Sequence, residues 1–118
     1  MRKSDPEAAT LAPVGTPSLD QVFDVLANRR RRYVLYYLRE VDDGVATVQD
    51  VAEYVLGTED ELDVSDTLRS IDTALHHVHL PKLEAAGIVE YDSRSETIRY
   101  WGQPSLDEWL EHAHHKEL

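Results

Sequence analysis

The stretch LHHVHLPKLEAAGIV, residues 75–89, constrains the fold of this chain more than any other. An apolar helical period runs up to Gly87, and the β-branched pair Ile88 and Val89 follows at once. A glycine after the last helical turn takes the left-handed conformation that Cβ-bearing residues resist, and β-branched residues favour extended backbone. The helix is therefore aimed at a sheet. Beyond it Val89 and Tyr91 alternate with Glu90 and Asp92, residues 93–96 supply a polar turn, and Ile98 and Tyr100 alternate with Thr97 and Arg99. Period-two alternation on both sides of a polar turn predicts a hairpin. Few small folds place a hairpin directly after a helix.

Upstream, residues 1–17 hold Pro6, Pro13, Gly15 and Pro17 without an apolar period, the pattern of a flexible tail. Ser18 opens a capping box with Gln21, and Leu19, Val22, Phe23 and Leu26 follow at helical spacing. Asn28 is a good N-cap for a second helix over 29–40 with Val34, Leu35, Leu38 and Val41 as its buried stripe. Residues 42–46 read as the turn out of it. Thr47 with Asp50 begins a third helix, its stripe Val48, Val51, Ala52 and Val55, closed by Gly57. Residues 57–66 carry five acids and form a polar connection to a fourth helix over about 67–86. After the hairpin, Ser105 and Glu108 cap a fifth helix with Leu106, Trp109, Leu110 and Ala113 on one face. Five helices and one hairpin make the expected class α+β, mainly α.

At 118 residues and 42% apolar composition the chain can bury one core and little more. It has no cysteine, hence no disulfide framework and no thiolate metal site. No apolar run approaches the roughly 18 residues of a membrane helix, and the start lacks the apolar segment of a signal peptide, so a cytoplasmic protein is expected. The net charge of -11, from 23 acids and 12 bases, opposes a phosphate-bearing partner. However, lysine numbers 3 against 9 arginines and aspartate outnumbers glutamate, a composition that resembles proteins of salt-adapted archaea. In such proteins acidity serves solubility and says less about partners.

The element order, with LANRRRRYVLYYL at 26–38 and HLPKLEAAGIV at 79–89, resembles the winged helix-turn-helix regulators of the ArsR-like class, whose segments read "LADPTRRRILELL" and "HLxxLxxAGLV". With its HxHLPKLE variant the chain is most similar to an uncharacterised winged-helix family abundant in haloarchaea. The likeness covers roughly residues 19–101. It implies a winged helix-turn-helix domain over 18–104 and the fourth helix lying in the major groove of double-stranded DNA; the C-terminal helix over 105–118 is expected, from its apolar stripe, to serve dimerisation. Two departures stand out: Pro81 occupies a position where the class has a helix former, and the cysteine metal box of metal-sensing members is missing.

Proline offers no N–H to the carbonyl of His77 and its ring crowds that carbonyl, so the fourth helix should bend or restart at Pro81. On a straight wheel Leu68, Ile71, Leu75 and Val78 share one face while Leu80 and Leu83 fall off it, and a bend returns them to the core. The outward face is then Arg69, Thr73, His76 and His77. The resemblance implies that this face reads DNA, with hydroxyl and imidazole groups on base edges and Arg69 on phosphate; the plainer alternative is a solvated helix face.

Four arginines, 29–32, stand in the first turn of the second helix against the positive end of its macrodipole, roughly 0.3 to 1 kcal/mol for each exposed charge. Arg30 and Arg31 border the buried stripe and should pair with acids of the same fold such as Asp24 or Glu84. Arg29 and Arg32 point away, toward phosphate or simply toward solvent. In the hairpin, Arg94 at the tip and Arg99 in the return strand are further candidates for DNA contact, with Glu96 as a possible neutraliser.

Six histidines raise the question of metal. His76 and His79, and His112 and His115, lie three apart, which can put two imidazoles on one face. No carboxylate pair or cysteine completes a four-ligand set, and neither metal nor cofactor is expected. Nor is an enzyme: there is no glycine-rich phosphate loop, nucleophile elbow or histidine arranged with serine or cysteine. The expected function is a sequence-specific DNA-binding transcriptional regulator; the alternative is a winged helix for protein contact without direct DNA binding. The apolar stripes of the first and last helices predict a homodimer, with Leu19, Val22, Phe23, Leu106, Trp109 and Leu110 paired across a two-fold axis.

Overall fold

A computed structural model describes residues 17–59 and 67–118. The expected flexible tail, apart from Pro17, and most of the acidic connection over 57–66 lie outside the described residues. The described chain is α+β and mainly helical, as expected. Helix α1 spans Leu19–Leu26, α2 Arg29–Glu40 and α3 Val48–Thr58, and β1 is Val45–Thr47. Then come α4 (Leu68–Ala74), a π-helical turn (Leu75–His79), α5 (Leu80–Ala85), β2 (Val89–Asp92), β3 (Thr97–Tyr100) and α6 (Pro104–Glu117). No helix among the described residues is long and apolar enough to cross a membrane.

Helix starts follow the side-chain chemistry closely. Ser18 and Gln21 cap each other's backbone reciprocally, and Asn28 and Thr47 accept from the N–H of Arg31 and Asp50. Gly87 closes α5 with φ 75°, and Ile88 N–H returns to Leu83 O at 3.0 Å before the chain extends. Two ends differ from expectation. Gly57 lies within α3, which runs on to Thr58. The last helix begins with Pro104 in its first turn and no side-chain cap, because proline's fixed φ presets the helix and its missing N–H is one the first turn leaves unpaired anyway.

The sheet has an element that the periodicity did not foretell. Residues 45–47, expected as turn, form β1, which pairs antiparallel with β3, so the strand order is β1-β3-β2. In the register Ala46 and Tyr91 both flank Ile98, and Ala46 and Ile98 are buried. A three-residue strand that runs straight into a helix cap has too little length to display a period of two. The turn feeding it, Asp42–Gly44, holds Asp43 and Gly44 both at φ 66°.

Helix α2 is the centre of the molecule. Val34, Leu35 and Leu38 are fully buried, as expected, whereas Val41, the fourth member of the expected stripe, is the C-cap and only half-buried; Tyr33 and Tyr36 on the other flank are buried too. Helix α6 supplies that second cover: Leu106 and Leu110 are fully buried within the fold, and His114 stacks on Tyr36 with ring centroids 4.3 Å apart. Val22 is buried as well. The expectation that Val22, Leu106 and Leu110 line a dimer interface is therefore corrected, because the core of one chain already consumes them. Leu19, Phe23 and Trp109 remain outside.

The π turn is the physical outcome of Pro81. Leu80 N–H bonds to Leu75 O, five residues back, where a regular helix would bond four back. The widened turn leaves room for the proline ring and swings the segment beyond it by about one residue's rotation, roughly 100°. Leu80 and Leu83 thus reach the core, as expected. The same rotation overturns the placement of Val78, which is 52% exposed, while His79 is buried in its stead.

Candidate nucleic-acid interface

Helix α4 and the π turn present one shallow, open concavity. Thr67, Arg69, Ser70, Thr73, Ala74, His77 and Val78 line it. Arg69, Thr73 and His77, three of the four residues expected to face outward together, are thus brought to one surface. Among the described residues none that lines it is acidic, in a chain with 23 acids. Three other surface depressions among the described residues differ: carboxylates of Glu90 and Asp92 line the one on the sheet, and Glu108 and Glu111 those beside α6. Ser70 and Thr67 extend the polar line by helical spacing and were legible on the same wheel; Val78 was not.

His76 leaves that surface. Its Nδ1–H donates to Asp72 O at 2.9 Å, its ring meets Tyr91 edge-on at 5.7 Å, and Nε2 lies 4.0 Å from Glu96. It therefore ties α4 to the hairpin. His79 turns inward, its Nδ1 3.4 Å from Arg31 Nη1. Burial, with Arg31 and Arg30 adding to it, pushes its pKa down to about 4, so the ring is neutral and accepts from the guanidinium. The His76 and His79 spacing consequently yields no shared ligand face, since a π turn does not align residues three apart.

The arginine run divides among four environments. Arg30 makes a two-armed pair with the buried Glu59, at 2.9 and 3.0 Å. Arg31 is buried and donates to Asp24 O and Val25 O at 2.9 and 3.1 Å, placing its cation on carbonyls of the last turn of α1. Asp24, expected to pair with Arg31 or Arg30, spends its carboxylate on Lys82 at 2.8 Å. Glu84 reaches the Tyr91 N–H instead. Arg32 grips both oxygens of Glu117 at 2.8 and 2.7 Å and caps Leu26 O, and Tyr36 also donates to Glu117. These bonds, that of Arg32 foremost, hold Glu117 below the usual carboxylate range. The expectation that Arg32 reaches phosphate is corrected: it staples the end of α6 to the start of α2. Arg29 is exposed.

On the hairpin, Arg94 is exposed at the tip, its backbone N–H bonded to Asp92 Oδ1 at 3.0 Å. Arg99 lies over the Trp101 ring at 5.5 Å, in register with Glu90 and beside Asp92 on the outer face of the sheet. Opposed charges stand beside it there, whereas Arg94 is exposed at the tip.

Residues 23–99 match the model of a family described as a domain of unknown function, DUF7344, and the chain belongs to that family. No curated protein and no solved structure matches it. The family segment holds the concavity and the hairpin up to Arg99; α6 lies beyond it.

Proposed function

We propose that the protein is a sequence-specific regulator that binds double-stranded DNA in the manner of a winged helix-turn-helix, α4 and the π turn entering the major groove and the β2–β3 hairpin serving as wing. The observation that carries this reading is the concavity that gathers Arg69, Ser70, Thr73 and His77, with no acid among its described lining residues, on a chain of net charge -11. Carboxylates would repel phosphate, while hydroxyl, imidazole and guanidinium groups suit base edges and the backbone. Arg94 extends the cationic side to a neighbouring minor groove. The remainder of the acidic surface serves solubility in a salt-adapted cell, where counterion release contributes little and base contacts must carry selectivity. The partner of the chain is a second copy, joined through Leu19, Phe23 and Trp109. Two α4 faces about 34 Å apart would match successive major grooves.

Selection from a random duplex library in molar potassium chloride tests the reading. An enriched motif is expected, and the double change Thr73→Ala and His77→Ala should erase the preference while leaving the melting temperature unchanged. If no motif emerges, or the double variant prefers it as strongly as wild type, the acidic surface and the exposed Phe23 and Trp109 favour a protein partner instead.

A further inference from the structure

We infer that Val78 determines part of the sequence preference by reading the C5 methyl group of a thymine. This rests on the DNA reading above and adds the base feature recognised. Val78 is 52% exposed although its spacing from Ile71 and Leu75 would bury it in a regular helix. The chain holds it outside by a definite device, the Leu80 to Leu75 bond of the π turn ahead of Pro81. The rotation that buries His79 and Leu80 exposes Val78 beside Thr73, Ala74 and His77. This surface therefore joins polar groups to an apolar edge.

Within the major groove, thymine alone offers an apolar group, its C5 methyl, and small apolar side chains recognise it by contact. Against other bases a valine covers donors or acceptors without replacing their hydrogen bonds, which is unfavourable. Valine is also held near one rotamer on helical backbone, so little side-chain freedom remains to be lost on contact.

Deoxyuridine pairs as thymine does and lacks only the methyl group. The enriched duplex is therefore remade with each thymine replaced singly by deoxyuridine, and binding of the full chain and of Val78→Ala is compared in high salt. For wild type, one position should show a loss of about four-fold, the equivalent of one methyl-sized group left unburied. Val78→Ala should bind the parent duplex more weakly and show no further loss at that position. Each penalty is a ratio measured on one protein, so it does not depend on how much of the variant is folded. An enriched motif at which no uridine replacement weakens wild type, or an undiminished penalty in Val78→Ala, overturns the role of Val78 and leaves the DNA reading standing. A library that yields no motif overturns both.

Discussion

Four adjacent arginines show how little a residue's type says about its task. Arg30 and Arg32 meet carboxylates from distant elements, Arg31 meets the carbonyl end of α1, and Arg29 meets solvent. The Arg31 site has a measurable consequence through His79, which faces Arg31, Arg30 and Glu59. Its folded pKa of about 4 lies below the ordinary value of 6.5. Between those values the unfolded chain holds the extra proton, so acidification favours unfolding. Wild type should lose on the order of 3 kcal/mol over that window from this residue alone. Chemical denaturation of His79→Gln across the same pH range should give the shallower dependence; equal slopes for the two proteins would remove the buried-neutral assignment.

At the scale of elements, the opposition between an arginine-rich first turn and the dipole of α2 is relieved by Glu59, by Glu117 and by the end of α1. Three neighbours thereby become welded at one point. Arg32→Ala should destabilise the fold by about 1 to 3 kcal/mol, because it removes the donor of the Leu26 carbonyl and the two-armed cationic partner of Glu117, whose carboxylate then keeps the Tyr36 hydroxyl as donor. Arg29→Ala should leave thermal stability unchanged and weaken binding to all duplexes alike, reducing the slope of log K against log salt by about 0.9 if one phosphate contact is lost. Salt titration beside thermal melts checks the contrast, and the reverse assignment of effects would refute it. The region expected as one fourth helix obeys a similar logic: one proline converts a uniform 67–86 helix into two short ones joined by a π turn, and thereby decides which of Val78 and His79 is buried.

For the molecule as a whole, net charge and exposed apolar surface predict two solution properties. Self-repulsion among 23 carboxylates reaches about 10 Å in 0.1 M salt and about 3 Å in 1 M. Melting temperature should therefore climb between 0.1 and 2 M potassium chloride; a flat or falling curve would contradict the solubility account of the acidity. Phe23 and Trp109 are 45% and 42% exposed, meet edge-to-face at 5.4 Å, and have Leu19 exposed nearby along α1. Light scattering in high salt should give twice the chain mass of 13.5 kDa, and Phe23→Ser with Trp109→Ser should halve it. A wild-type monomer at micromolar concentration would dismiss the paired-chain proposal.

Local chemistry, written in consecutive residues, was enough to determine much of this protein. Ser18, Asn28 and Thr47 open their helices, Gly87 turns a helix into a strand, and alternation from Val89 to Tyr100 makes the hairpin, because caps, left-handed turns and period two act within a few residues. The line of Arg69, Thr73 and His77 was legible for the same reason. Features that depend on partners far along the chain were not. Strand β1 exists through pairing with β3, some fifty residues on, and Leu106 and Leu110 are core because α6 folds back onto α2. Arg32 is claimed by Glu117 from the other end of the chain. Whether a bend at Pro81 turns Val78 outward or inward depends on how the chain accommodates one missing N–H, and that choice is made by the core that must receive Leu80 and Leu83.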